Sequence, residues 1–196
     1  MKKILHVISS PRGKNSCSIQ LAEAIIEKLT RTYHDVSVIE RDLLKEPPPF
    51  LSDRQIAAFY KPSDQLNQEE RDILSYSDKA VEEIQEAQLL VIGIPMYNLG
   101  IPAILKAWID QIVRIVVPPK SSNGKSALRT FKNKKVYLAI ASGRIHSTAG
   151  TLDFIEPYVK HVLQTIGITN LCTFKTEGTA QRIITSTDYR KLIDRL

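Results

Sequence analysis

The chain has 196 residues, 27 Lys plus Arg against 21 Asp plus Glu, 43% apolar and 24% charged, ordinary values for a soluble globular protein of one domain spanning 1–196. At this size about 70% of the unfolded surface becomes buried, so one core suffices without disulfides or a structural metal. Cys17 and Cys172 lie far apart and form no ligand cluster, which argues against a zinc module or a disulfide-stapled secreted domain and fits a reducing cytoplasm; no run approaches the ~18 to 20 apolar residues that span a bilayer, so insertion into a membrane is excluded.

Met1 to Lys3 followed by Ile4 to Ile8 imitates a signal peptide, but the apolar run is short and meets Ser9-Ser10-Pro11 at once, so Lys3 to Ser9 reads as a strand. A helix starts near Ser18, a good N-cap, with Leu21, Ala22, Ile25, Ile26 and Leu29 on one face. Val36 to Ile39 is the second strand. From Asp42 to about Asn67 the pattern breaks, Pro47-Pro48-Pro49 stops any regular element, and only Ser52 to Phe59 suits a short helix. A longer helix covers Gln68 to Ala87, and Leu89 to Ile94 is a continuous apolar run, as a strand buried on both faces requires. Pro102 opens a helix whose stripe is Ile101, Leu105, Trp108, Ile109 and Ile112. Val136 to Ala141 is a strand, Phe154 to Ile166 a helix, Leu171 to Phe174 a strand and Asp188 to Leu196 a final helix. This alternation predicts an α/β fold with a five-stranded parallel sheet and helices on both faces, whose ligands sit beyond the carboxyl ends of the strands.

The positive charge is local. Seven of the 27 basic residues lie between Arg114 and Lys135 with no acid among them, and outside that window 20 basic residues face 21 acidic ones. A single aromatic residue, Phe131, lies among these charges, too few to alternate with them as a single-strand binding surface requires, so nucleic acid is not the expected partner. A solvated loop is expected there, with a rim that attracts anionic substrates or cofactor phosphates as the sharper alternative.

Three loops follow strand ends. Ser9 to Ser18 delivers hydroxyls, backbone N–H groups and the cations Arg12 and Lys14 to the start of a helix, which suits a phosphate. Its single glycine, Gly13, satisfies neither the GxGxxG nor the GxxxxGK[ST] pattern. Taken alone, such serines are as often helix caps as ligands. Pro95-Met96-Tyr97-Asn98-Leu99-Gly100 stops the most buried strand and places large side chains and an amide where solvent begins, which suits a flat heteroaromatic ring; a plain turn is the competing reading. Ala141-Ser142-Gly143-Arg144, with His146 beyond, again ends a strand in small polar residues; Ser142 and Gly143 offer backbone donors to a ring edge and His146 a partial positive charge. His6, His34 and His161 have no partner that would make a catalytic triad.

With these residues in view, the sequence resembles the FMN-dependent NADH:quinone oxidoreductases, also called azoreductases, along essentially its whole length. Pro95-Met96-Tyr97-Asn98 running on through Gly100 to Asp110 is the most specific piece. Ser9-Ser10-Pro11-Arg12 with Ser16 and Ser18 supports it, as do Leu152 to Phe154, Glu156 to Tyr158 and Ile166 to Thr169. The resemblance implies a flavodoxin-like three-layer sandwich that binds FMN, with Ser10, Ser16, Cys17 and Ser18 on the phosphate. It places Pro95, Met96, Tyr97, Asn98 and Leu99 on the isoalloxazine, and Ala141, Ser142, Gly143 and Arg144 at its other edge. It implies a ping-pong oxidoreductase in which NADH, or NADPH, delivers a hydride and leaves before a quinone or azo compound takes the same place. Most of the chemistry would belong to the cofactor, with Tyr97 and His146 as possible proton donors and no metal. It also implies a cytoplasmic homodimer with sites completed across the interface. A flavodoxin-like electron carrier and a redox-inactive interaction protein are the alternatives. Departures from the family pattern are Leu99 in place of an aromatic residue, Arg144 where Ser-Arg-Gly-Gly ends in glycine, Val116 to Pro119, and Thr165; they reshape the substrate pocket. Cys17 reads as a small packed side chain more readily than as a redox thiol.

Overall fold

The computed structural model describes residues 1–116, 125, 127–145, 153–181, 184–194 and 196. In chain order the elements are β1 (Lys2–Ile8), α1 (Cys17–Thr32), β2 (Val36–Asp42), α2 (Asp53–Phe59), α3 (Gln68–Glu86), β3 (Leu89–Pro95), α4 (Ala103–Ile112), β4 (Ile115–Val116), β5 (Ala127–Leu128), β6 (Lys135–Ala141), α5 (Ile155–Thr165), β7 (Asn170–Thr176) and α6 (Ser186–Leu192). The five long strands pair in parallel in the order β2-β1-β3-β6-β7, as the alternating pattern predicts for a doubly wound sheet. Side chains of alternate residues along each strand enter opposite layers. Leu5, Val7, Leu90, Ile92, Leu138 and Ile140 pack against α3, α4 and α5, whereas Ile4, Val91, Tyr137 and Phe174 pack against α1 and α6.

Local chemistry explains most boundaries. Asn67 Oδ1 accepts the Glu70 N–H (2.9 Å) while Glu70 Oε2 accepts the Asn67 N–H (3.1 Å), a reciprocal cap that starts α3 at the predicted residue. Ser52 caps α2 through the Gln55 N–H at 3.2 Å. At the end of α5, Gly167 adopts φ +84°, and the N–H of Ile168 returns to Leu163 O at 2.9 Å. The final helix starts two residues earlier than expected, because Thr185 caps the Asp188 N–H and places Asp188 inside the first turn; it ends at Leu192, short of the expected Leu196.

The irregular insert is fastened rather than loose. Gln111 of α4 donates to Pro49 O (2.8 Å) and accepts from Gln55 Nε2 (2.6 Å), and its own carbonyl accepts the buried Ser77 hydroxyl at 2.6 Å. Arg41, at the end of β2, donates to both carboxylate oxygens of Glu83 on α3 and to Glu46 at 2.5 Å, with its side chain only 4% exposed.

The basic window departs from the expected solvated loop. It contains the antiparallel β4–β5 pair, and two of its cations hold the fold. Arg114 pairs with Asp78 (2.5 Å), donates to Ser77 Oγ (3.1 Å) and lies 5.0 Å from the Phe59 ring centre. Lys134 donates to the carbonyls of Gln85 and Ala87, both at 2.6 Å. Uneven spacing of charges hides such pins in the sequence, since their partners lie on α3 and on the turn that follows it.

Candidate functional site

The order of the sheet reverses between β1 and β3, so the loops that leave these strands diverge and open a crevice at their carboxyl ends. Ser9 Oγ donates to Gly93 O at 2.8 Å and ties the first loop to β3. A 3-10 turn, Gly13–Asn15, then leads into α1, with Ser16 in extended conformation at the N-cap position.

The expected cap at Ser18 is therefore not what forms. The helix begins one residue earlier, at Cys17, and the Ser16 side chain makes no capping bond; its Oγ lies 3.1 Å from Ser18 Oγ instead. The N–H groups of Cys17, Ser18 and Ile19 have no acceptor among the described residues. Uncapped amides at the positive end of a 16-residue helix, beside hydroxyls free to reorient, make an anion seat. Helix α1 also lies unusually close to the sheet: a Cβ placed on Gly93 would stand 3.2 Å from Ser18 O.

A cavity of about 370 Å³ occupies the crevice. Ser10, Arg12, Ser16, Cys17 and Ser18 form one wall, Pro95, Met96 and Tyr97 a second, and Ala141, Gly143, Thr179 and Ala180 a third. Ser10, Ser16 and Ser18 are buried at its floor. Tyr97 closes the near side, with its hydroxyl 3.5 Å from Ser10 Oγ. Cys17 is a free, half-buried thiol beside Tyr189. The Tyr189 hydroxyl donates to Gln20 Oε1 at 3.1 Å, and burial, with the neighbouring Cys17, pushes its pKa up, so it stays protonated.

A second cavity of about 550 Å³ shares Met96 and Gly143 with the first and adds Asn98, Leu99 and Arg144. Its shape depends on a tight turn in which Tyr97 and Gly100 exchange N–H···O bonds of 3.1 and 3.0 Å, with Asn98 at φ +49° and Leu99 at φ +69°. Leucine at positive φ costs about 1–2 kcal/mol, and the strain holds a half-exposed Leu99 at the cavity wall. A groove of about 570 Å³ between α1 and α6, lined by Gln20, Glu23, Glu27, Ile184, Tyr189 and Arg190 among others, is no smaller, but none of its lining residues comes from the loops after β1, β3 or β6.

The structure thus brings together Ser10, Ser16, Cys17, Ser18, Pro95, Met96, Tyr97, Ala141 and Gly143 in one cavity and places Asn98, Leu99 and Arg144 in its neighbour. Ser142 lines neither. Its N–H is committed to Thr176 O (2.9 Å) and its hydroxyl to Arg144 O (2.7 Å), so it braces the loop and is not the ring-edge donor expected from its type. His146 lies outside the described residues. Thr179 and Ala180 are additional lining residues, from a fourth loop. The N–H of Thr179 bonds Ser142 O (3.1 Å) and that of Ala180 bonds Gly143 O (3.2 Å), so this loop is laced to the one after β6. Gly178-Thr179-Ala180 directly after a strand is the available sequence signal, of the same kind as the other three loops.

Residues 2–195 match the family model Flavodoxin_2, described as a flavodoxin-like fold. An FMN-dependent NADH:quinone oxidoreductase 1 from Trichormus variabilis is 41% identical over 183 residues, 91% of this chain and 85% of the relative. The FMN-dependent NADH:quinone oxidoreductase of Beijerinckia indica is 37% identical over 180 residues, 91% of this chain and 89% of the relative. The chain belongs to the FMN-dependent NADH:quinone oxidoreductase family. Among solved structures, the azoreductase from Bacillus anthracis str. Sterne superimposes with a TM-score of 0.78 at 27% identity, covering 100% of this chain and 94% of that one. The fold and family expected from the sequence are therefore correct. No helix of the described residues is long and apolar enough to cross a membrane.

Proposed function

We propose that this protein, a single flavodoxin-like FMN-binding domain over its whole length, holds FMN in the strand-end crevice and uses NADH to reduce quinones or aromatic azo compounds. One observation carries the reading: the first turn of α1, whose Cys17, Ser18 and Ile19 N–H groups have no acceptor among the described residues, adjoins a cavity lined by the buried Ser10, Ser16 and Ser18. A phosphate monoester matches that donor set, since backbone amides and hydroxyls supply charge-assisted hydrogen bonds to its oxygens. When bound, FMN supplies the two-electron redox chemistry that the side chains lack, accepting hydride from a nicotinamide and returning electrons to the acceptor.

The chain's own residues bind and orient. Cys17, Ser18 and Ile19 hold the phosphate through their backbone N–H groups, and Ser10 and Ser16 through their hydroxyls. Pro95, Met96 and Tyr97 cover one side of the ring, and Ala141 and Gly143 approach the other. Asn98 and Leu99 shape the adjoining cavity, where the acceptor and, in its turn, the nicotinamide stack. Holding the partners in near-attack geometry can remove about 7–11 kcal/mol of the barrier, so no strong acid–base pair is needed. Tyr97, on the wall of the cradle cavity, is the proton donor to the reduced acceptor.

The exposed apolar side chains of Leu99, Ile145 and Phe154 support a homodimer in which a partner subunit covers them. The two free cysteines suit a reducing cytoplasm. The test is a titration of the apoprotein with FMN followed by steady-state assays with NADH and NADPH against menadione and an azo dye, with the oligomeric state measured by light scattering. Parallel lines in double-reciprocal plots are expected. A protein that takes up no FMN overturns the proposal.

A further inference from the structure

Among the described residues, the cavity beside the cradle carries one charged side chain, Arg144, and its placement gives the acceptor site a selectivity. We propose that Arg144 makes the enzyme discriminate in favour of flat aromatic acceptors bearing a carboxylate or sulfonate over neutral acceptors of the same ring system. The inference rests on the oxidoreductase reading above and assigns a role to a residue that the phosphate cradle leaves unused.

Three observations combine. Among the described residues, the cavity of about 550 Å³ is bounded by Met96 and Leu99, both apolar, by the neutral Asn98 and Gly143, and by the charged Arg144. Its guanidinium makes no ion pair with any carboxylate among the described residues, whereas Arg54 and Arg114 each have one and Arg41 has two. The backbone that carries it is braced. Arg144 O accepts the Ser142 hydroxyl at 2.7 Å and the Gly178 N–H at 3.3 Å, the preceding Gly143 O accepts the Ala180 N–H at 3.2 Å, and Ile145 lies over Gly178. The side chain therefore projects from a fixed point at the cavity wall.

An apolar wall next to a guanidinium with no carboxylate partner among the described residues is complementary to an aromatic anion. The ring gains burial against Met96 and Leu99, and a carboxylate or sulfonate presents two coplanar or adjacent oxygens to the planar fork of an arginine. Because Arg144 is exposed, solvent screens the attraction, and a preference of about five- to tenfold is expected, at the lower end of charge-assisted hydrogen bonds. The same exposure makes it sensitive to salt. A second anion could use the same cation, a phosphate of the nicotinamide nucleotide, and the test separates the two.

The FMN-loaded protein and its Arg144→Gln and Arg144→Lys variants are assayed at saturating NADH with menadione and with 1,4-naphthoquinone-2-sulfonate, and the ratio of the two kcat/KM values is taken within each protein. Binding of anthraquinone-2-sulfonate to the oxidised proteins, without reductant, is measured by calorimetry. The expected result is a five- to tenfold fall of the ratio and a matching rise of the sulfonate Kd in Arg144→Gln. Arg144→Lys should fall in between, and 0.5 M NaCl should bring the wild type close to the Gln variant. A ratio and a Kd that are the same in the wild type and Arg144→Gln overturn the proposal. So does an effect confined to kcat/KM for NADH or NADPH, which would hand the cation to the nucleotide. A wild type that binds FMN yet reduces neither quinone sinks the oxidoreductase reading instead, and is recognised by the loss of both reactions rather than of their ratio.

Discussion

Replacing Gly93 by alanine should loosen the fold and the cradle together. The new methyl would lie 3.2 Å from Ser18 O, 3.6 Å from Ser18 C and 3.7 Å from Val7 O. The first of these is tighter than an ordinary carbon–oxygen contact, and Ser18 O belongs to the first turn of α1, so it cannot swing aside like a flexible side chain. The helix must retreat as a body by a few tenths of an ångström. Overpacking of this kind costs about 1–3 kcal/mol, offset by about 0.4–1 kcal/mol because alanine restricts the unfolded chain. A net loss of about 1–2 kcal/mol corresponds to a fall in Tm of about 2–8 °C for a chain of this size. The same retreat moves the N–H groups of Cys17, Ser18 and Ile19 from the seat they form, and the Kd for FMN should rise about three- to tenfold, or roughly 1 kcal/mol. Thermal melts of the apoprotein and quenching of FMN fluorescence on titration measure the two effects separately. Gly100→Ala is the control, since a Cβ there meets nothing nearer than Tyr97 O at 3.9 Å. If Gly93→Ala melts within about 1 °C of the wild type and binds FMN equally well, the close approach of α1 is not what positions the cradle.

Ser16→Ala should weaken FMN by about ten- to a hundredfold, the worth of one hydrogen bond to a charged group, yet leave the apoprotein's Tm nearly unchanged, because Ser16 does not cap α1; a drop in Tm without a change in Kd would mark it as structural. Glu83→Gln leaves the Arg41 guanidinium, whose side chain is 4% exposed, with Glu46 as its remaining carboxylate partner, and should cost about 3 kcal/mol in urea denaturation, with partial recovery in the Arg41→Met, Glu83→Gln double variant; equal stability of all three proteins would refute the role of the pair. Acid should destabilise the apoprotein in two stages. Burial lowers the pKa of His6 from its usual 6.5, against the pull of Glu40 and Asp42, so the neutral ring's contribution is present above about pH 6.5 and is lost as the pH falls below it. For Glu156, burial opposes the charge, but hydrogen bonds from Lys160, Lys175 and Thr173 outweigh it and bring the pKa down to about 2 from 4.5. Its contribution, about 1–2 kcal/mol after allowance for partial exposure, is present above about pH 4.5 and is lost between there and pH 2. A urea midpoint that stays level from pH 7 to pH 3 would contradict both.

Much of this architecture is written in short-range patterns. The apolar run Leu89 to Ile94, the stripe from Leu105 to Ile112 and the Asn67–Glu70 cap depend on side chains a few positions apart, where periods of 2 and 3.6 residues and local hydrogen bonds decide the outcome. So do the hydroxyl-rich loop before α1 and the tyrosine–asparagine corner after β3. The sequence by itself therefore determined the elements, their alternation and the residue types of the cradle.

What only the tertiary structure decided is which of these groups meet and which are already taken. Ser10 and Tyr97 stand 87 positions apart and come within 3.5 Å because the sheet places β1 beside β3. The loop carrying Thr179 joins the site because β7 pairs with β6 in register up to Ala141 and Thr176. Ser142 looks like a donor until the neighbouring strand claims its N–H, Arg114 and Lys134 look solvated until α3 and the turn after it supply their partners, and Leu99 gives no hint of its left-handed backbone until Tyr97 and Gly100 close the turn around it. Each outcome is set by contacts between segments remote along the chain, where parallel register and crossover geometry, rather than the local propensity of a residue, determine the neighbours of every polar group.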